Sequence, residues 1–197
     1  MLKPTLIRPI IVFVFMMNIL ISGCQVNTLK AQSFVGQIPS SDIFVGVVNN
    51  KGSLTAYVCD GTETKVNKSE WFKGTASNNS FKLSSANGAS LTGEIKTDEI
   101  TGTLSEANGQ PISFTLGLST GDAGVYRAEL TNGNGTYIGG WIVLPNGEQR
   151  GAVSFQGGVG DAYLPKGGIV PVIKLKTASP TVVLQNNISL TASKLGG

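Results

Sequence analysis

Histidine is absent from the 197 residues. That removes Ser-His-Asp and Cys-His catalysis and the commonest transition-metal ligand. Cysteine occurs twice, at Cys24 and Cys59. Charge is sparse, with Asp, Glu, Lys and Arg making up 14% of the chain, so groups for acid–base work are few. No window of a dozen residues keeps helical spacing. Long apolar runs are missing as well, with one exception: Pro9–Ile21, thirteen residues broken only by Asn18. A helix crossing hydrocarbon needs roughly 20 residues, which disfavours a permanent transmembrane segment.

That exception has telling flanks. Lys3 and Arg8 precede it without any acid, and the small residues Ser22 and Gly23 follow it, then Cys24. A basic start, a short apolar run and small residues at the cut describe a secretory signal peptide over residues 1–23. Leu20-Ile21-Ser22-Gly23-Cys24 resembles the lipobox of bacterial lipoproteins. The resemblance implies cleavage between Gly23 and Cys24 and a diacylglyceryl group on the Cys24 sulfur. In many bacteria the new amino group is acylated too. Two or three acyl chains hold a protein to a bilayer where one binds marginally, at about 0.8 kcal/mol per buried CH₂. The implied address is a bacterial cell membrane or outer membrane, with the domain outside the cytoplasm. Gln25 after the cysteine, by the sorting rule of enteric bacteria, favours the outer membrane.

Removing the leader leaves 174 residues, one domain's worth. Of the fifteen basic residues the leader takes two, so thirteen face twelve acidic ones. No basic cluster of the kind that footprints nucleic acid remains in the sequence, and a nucleic-acid partner is not expected. With Cys24 acylated, Cys59 has no disulfide partner. Its setting, Ala56-Tyr57-Val58-Cys59-Asp60, reads as a strand with a small buried hydrophobe.

Residues 24–41 are polar and end in Pro-Ser-Ser, which reads as a lipidated N-terminus and flexible tether spanning roughly 20–25 Å. The alternative is that Phe34, Val35 and Ile38 dock on the domain. From residue 42 to 156, short apolar runs are broken every 8–12 residues by Gly and Asn. This predicts an all-β antiparallel meander of about ten short strands, closed or nearly closed into a barrel, with a β-sandwich as the alternative. The strands fall at 43–48, 54–59, 70–74, 80–84, 90–96, 99–105, 112–118, 124–130, 136–144 and 148–155. Turns at Asn49-Asn50-Lys51-Gly52, Asn78-Asn79, Asn87-Gly88, Asn108-Gly109, Asn132-Gly133 and Asn146-Gly147 supply the positive φ that tight hairpins require.

Two hairpins can be given a register. A two-residue turn at Thr97-Asp98 sets Ile95 opposite Ile100, Gly93 opposite Gly102 and Leu91 opposite Leu104, all on one buried face. The facing glycines leave a gap that Trp71 or Phe72 could fill. A turn at Asn146-Gly147 sets Ile142 opposite Gly151, Gly140 opposite Val153 and Ile138 opposite Phe155. Trp141 and Tyr137 then share the other face, either covered or exposed as an aromatic patch. Phe81, Leu83, Ile112, Phe114, Leu116, Tyr126, Ala128 and Leu130 are the expected inward sets, with Lys82, Arg127 and Glu129 outward. Residues 157–197 form an extended, Pro- and Gly-containing segment in which Pro171 and Pro180 forbid central strand positions. It either covers Trp141 as an edge or trails free.

The segments Tyr57-Val58-Cys59-Asp60-Gly61, Glu70-Trp71-Phe72-Lys73-Gly74, Gly124-Val125-Tyr126-Arg127-Ala128 and Gly140-Trp141-Ile142-Val143-Leu144-Pro145-Asn146-Gly147 resemble those of exported bacterial β-domain proteins. The resemblance implies an exported β-domain and no particular chemistry.

Three accounts of function follow. The first is a lipid-anchored envelope protein, not an enzyme, whose β-domain binds or supports another envelope protein or a wall glycan. Its variant is a barrel carrying a small apolar ligand in the manner of lipocalins. Trp71, Trp141, Tyr137 and Asp60 are its candidate ligand or packing surface. The second is a carboxylate hydrolase drawing on Asp60, Glu70, Arg127 and Glu129, although Asp60-Gly61 reads more simply as a turn and Arg127 with Glu129 as a solvated strand face. The third is an inhibitor or accessory protein. No cofactor or metal is expected, since Asp122 and Asp161 lack the acidic company that calcium needs.

Overall fold

The computed structural model describes residues 30–107 and 109–196. The signal peptide, Gly23, Cys24, Gln25 and Asn108 of the Asn108-Gly109 turn lie outside the described residues. Among those described, the chain is all-β with no helix.

Eight strands close a barrel in simple sequence order. They are β1 (Gln32–Gln37), β2 (Phe44–Asn50), β3 (Ser53–Cys59), β4 (Ser69–Ser77), β5 (Ser80–Ser85), β6 (Ser90–Ile95), β7 (Glu99–Ser105) and β8 (Ile112–Leu118). Turn chemistry enforces the meander. The β2–β3 hairpin turns on Lys51 and Gly52, with φ of 53° and 88°. The β4–β5 hairpin turns on Asn78 and Asn79, with φ of 49° and 63°. Both pairs give the left-handed turn that matches strand twist.

The closing strand corrects the tether. Residues 32–37, expected as flexible chain, form β1, which pairs with β2 along its length and with β8 at Phe34↔Leu118 and Val35↔Gly117. Phe34 and Ile38 are fully buried and Val35 is 4% exposed. The reason is edge cancellation. Without β1, β2 and β8 would each leave a row of unpaired backbone groups, and closure satisfies both. The docking alternative for Phe34, Val35 and Ile38 is therefore the observed one.

Inside the barrel, side chains fill the lumen. Phe34, Val45, Val47, Leu54, Ala56, Val58, Phe72, Phe81, Leu83, Leu91, Ile100, Leu104, Phe114 and Leu116 form one buried cluster. The β6–β7 register is as expected, with Ile95↔Ile100, Gly93↔Gly102 and Leu91↔Leu104. The glycine gap is filled by different rings, however. Phe81 is the cross-strand partner of Gly93 and Phe114 that of Gly102. A methyl group on either glycine would come within 2.8 Å and 2.6 Å of the Phe81 and Phe114 Cζ atoms respectively. Neighbouring aromatics thus cover the glycines, a shorter reach than from Trp71, which points outward, or from Phe72, which packs elsewhere in the lumen. Ile112, expected inward, stands at the barrel rim 38% exposed.

The antiparallel meander closes into a barrel as expected, with its first eight strands, and the chain then leaves it to form further sheets. A second sheet runs β12-β11-β10-β9-β15, from β9 (Gly124–Asn132), β10 (Gly135–Val143), β11 (Gln149–Gln156), β12 (Ile169–Pro171) and β15 (Ser193–Lys194). A small hairpin of β13 (Thr181–Val183) and β14 (Ser189–Thr191) lies with it. Pro171 sits on the edge strand β12, as its missing N–H demands.

The β10–β11 register differs from expectation by one residue: Trp141 faces Gly151 and Tyr137 faces Phe155. Leu144 N–H donates to Glu148 O and Gly147 N–H to Leu144 O, both at 2.9 Å. Three residues, Pro145-Asn146-Gly147, make the loop, with Gly147 at φ 83° in the bulge position. A slip of one flips β11, so Val153 and Phe155 join Tyr137 and Trp141 on the same face. The segment after 157 covers that face. Leu164, Val172, Leu175, Val182, Leu184, Leu190 and Ala192 pack on Tyr126, Tyr137, Trp141 and Phe155 in a second core. Trp141 and Tyr137 are each 1% exposed.

The opposite face of this sheet lies against the barrel wall. Val35, Phe44, Val48, Tyr57 and Cys59 from the barrel meet Val125, Ile142 and Ala152 from the sheet in a third cluster. Two glycines make the fit possible. Gly46 admits the Val125 side chain, and Gly140 admits the Tyr57 and Trp71 rings, 2.5 and 2.8 Å from where its Cβ would be. Strands β2 and β3 are therefore buried on both faces, which is why their sequences read as nearly continuous apolar runs.

Candidate functional site

The residues singled out in the sequence have structural partners. Tyr57 and Trp71 are cross-strand neighbours whose rings stack at 4.3 Å and 25°. Arg127 of β9 lays its guanidinium over the other part of this pair, 4.7 Å from the Trp71 centroid. It also reaches the exposed Glu129 at 2.6 Å. Tyr57 Oη and Ser69 Oγ lie 2.9 Å apart and share a hydrogen bond. Burial pushes the Tyr57 hydroxyl well above its ordinary range. Trp71 and Arg127 thus form a seam between barrel and sheet.

Asp60 closes a loop. Its carboxylate accepts from the Asn67 amide (2.9 Å), Asn67 Nδ2 (2.9 Å) and the Lys68 amide (2.8 Å). Partial burial pushes its carboxyl up, but the hydrogen bonds from Asn67 and Lys68 outweigh this and hold it below the usual carboxylate range. A catalytic acid needs the opposite shift. Glu70 lies one side chain away, with Oε1 3.8 Å from Lys68 Nζ, which also binds Glu106 at 2.6 Å. The cavity beside Glu70, about 460 Å³, is lined by Glu106 and Asn87 and not by Asp60. The two carboxylates therefore share a lysine's backbone and side chain rather than a pocket.

Cys59 is buried with no disulfide. Gly61 N–H donates to its sulfur at 3.2 Å. Burial pushes the thiol from 9.0 up to about 11, against hydrogen bonds from Tyr57 and Gly61. It is a packed side chain without thiolate character.

Asp161 accepts from the Tyr163 amide (2.9 Å), the Leu164 amide (2.7 Å) and Asn186 Nδ2 (2.7 Å). Asp122 accepts from Thr177 Oγ1 at 2.8 Å. Asp161 ties two stretches of the C-terminal segment to each other, and Asp122 fastens that segment to the body. Among the described residues no group of three or more His, Cys, Asp or Glu is placed to hold a metal ion.

Comparison with protein-family models, with curated proteins and with solved structures finds no match. What the chain can do must be argued from its surfaces. A cleft of about 210 Å³ separates the 61–63 loop from the 172–174 strap, beside the edge of Trp141. The strap itself is fastened there, because Leu175 N–H donates to Gln149 Oε1 (2.9 Å) and Gln149 Nε2 to Leu175 O (3.0 Å). A roomier cavity is elsewhere, at the barrel end where β1 begins, and measures about 720 Å³. No sequence motif marks it, since its lining comes from four separate stretches.

Proposed function

We propose that the protein is a lipid-anchored component of a bacterial cell envelope, held by diacylglyceryl-modified Cys24. Its β-domain serves a binding or structural role through its outer surface. The leader and the Ile-Ser-Gly-Cys sequence support the anchor. The observation that carries the mode of action is the filled lumen: fourteen apolar side chains named above occupy the space an apolar cargo would need. A carrier barrel of this strand number keeps a central cavity for its ligand. Of the carboxylates considered for hydrolysis, Asp60 fastens a loop, Glu70 lies 3.8 Å from the Lys68 ammonium and Glu129 pairs with Arg127 at the surface, which supports a non-enzymatic role.

The domain also sits close to its proposed anchor. Five residues separate Cys24 from Lys30, and Gln32 already donates to Thr97 O at 3.4 Å across the barrel. The six Cα-to-Cα steps from Cys24 to Lys30 reach at most about 20 Å when fully extended. The end of the barrel bearing Lys30 is then the membrane-proximal one.

Replacing Cys24 by Ala and fractionating cells tests the anchor. The uncut precursor should accumulate and no acylated mature form should appear. A variant that is still processed and still fractionates with membranes contradicts the reading.

A further inference from the structure

The membrane-proximal end carries a basic cavity. Lys30, Lys51 and Lys194 converge on the space of about 720 Å³, from the start of the described chain, the β2–β3 turn and β15 respectively. No carboxylate is among the described residues that line it. Asp122 lies outside the lining and accepts from Thr177 Oγ1, while its charge still acts on Lys194. Lys194 Nζ donates to Gly121 O at 2.6 Å and uses one of its three protons there. Its stem lies against Gly124, where a Cβ would come 2.6 Å from Lys194 Cε and 3.4 Å from Ser33 Oγ.

Ser33 is the second, independent sign of a ligand. It lines the same cavity and is 7% exposed, a buried polar residue among the described ones. Its Oγ has no hydrogen-bond partner. Its carbonyl oxygen, by contrast, accepts from both Ser119 N (2.8 Å) and Ser119 Oγ (2.9 Å). An unmet buried hydroxyl is destabilising, and a ligand oxygen beside it would remove that cost. Burial lowers the Lys194 ammonium's pKa; Asp122 opposes this, and the neighbouring Lys30 adds a lesser lowering.

We propose that this cavity binds a phosphoryl group, with Lys30, Lys51 and Lys194 neutralising its charge and the Ser33 hydroxyl donating to one of its oxygens. Charge-assisted hydrogen bonds from ammonium to phosphate are the strong ones, and three cations with a hydroxyl match a tetrahedral anion. The chemistry has two sources: free phosphate, or the headgroup of an anionic phospholipid. The cavity is roomier than a bare phosphate needs, and the short leash to Cys24 favours the headgroup. That choice of source rests on the anchored reading; the site itself does not.

The test uses the full chain expressed in a bacterial host and purified in a neutral detergent. It is titrated with short-chain phosphatidylglycerol, short-chain phosphatidylcholine and inorganic phosphate, and binding is followed by calorimetry. Saturable binding of phosphatidylglycerol but not phosphatidylcholine is expected, with phosphate competing. The variant Lys30→Gln/Lys51→Asn should bind about tenfold more weakly or worse; both residues are exposed, and Asn suits the left-handed backbone of Lys51. Ser33→Ala should weaken binding while raising the Tm of the free protein, because an unpaired hydroxyl is removed. If phosphate binds as tightly as phosphatidylglycerol, the site stands with free phosphate as its source. Equal binding of phosphatidylcholine, unchanged affinity in the double variant, or no binding of any of the three overturns the proposal. The intact mass of the same preparation reports separately on acylation, so a failed anchor and a failed site are distinguishable.

Discussion

The guanidinium of Arg127 lies over the ring of Trp71, 4.7 Å from its centroid, and joins the second sheet to the barrel wall. Both side chains were candidates for chemistry in the sequence. Together they are a clasp. Arg127→Ala should cost about 0.5–1 kcal/mol as the cation leaves the ring; the exposed Glu129 pair adds little. A double-mutant cycle with Trp71→Leu, read by thermal melting, should return a coupling of that size. Strict additivity would mean that the clasp contributes nothing.

Gly140 should tolerate no side chain. Its missing Cβ leaves room for the Tyr57 ring at 2.5 Å, and Gly140→Ala forces barrel and sheet apart. A loss of about 1–3 kcal/mol is expected from overpacking, seen as a lower urea midpoint. An unchanged midpoint would show that the interface yields at no cost.

The Cys59 thiol should be inert in the folded protein. At neutral pH, maleimide labelling should await unfolding, and the labelling rate should rise in step with added urea. Because burial raises the thiol from 9.0 to about 11, its contribution to stability is complete below the unfolded value and is lost as pH rises through the folded one. Cys59→Ala should therefore flatten the loss of stability across that alkaline window. A variant with the same alkaline slope as the parent removes the thiol from the account.

Asp60 and Asp161 act in the other direction. Hydrogen bonds hold both carboxyls below the usual range, from Asn67 and Lys68 in one case and from Asn186 and Leu164 in the other. Their stabilisation is present above the unfolded value, near about 3.9, and is lost as pH falls through the folded values. Limited proteolysis within residues 61–67 and 162–188 should accelerate below about pH 4 before the barrel core opens. Simultaneous global unfolding would contradict this order.

Much of the barrel was legible because its hairpins are locally coded. Thr97-Asp98 and the facing glycines of β6 and β7 fix a register from sequence alone, and the structure has that register. β1 was missed because Gln32–Gln37 carries only Phe34 and Val35 as apolar signals. Its strand state comes from pairing with β2 along its length and with β8, some eighty residues away, the second of which no local pattern encodes. The β11 slip has a similar origin: Pro145-Asn146-Gly147 suits a two- or a three-residue loop, and packing of Val153 and Phe155 beside Trp141 decides between them. The exposure of Trp141 and Tyr137 depended on a covering segment whose alternation is weak. The basic cavity was invisible for the same reason, since Lys30, Lys51 and Lys194 meet only after the barrel closes.

The central claim is an acylated Cys24 on a domain with a filled barrel. Native mass spectrometry of the protein extracted from its host's membrane, in detergent, tests it most directly. The account predicts a mass equal to residues 24–197 plus two or three acyl chains, with no apolar cargo retained. A mass for the uncleaved chain, or for a cleaved chain without acyl groups, would contradict the anchor, and a stoichiometric apolar adduct would contradict the filled barrel.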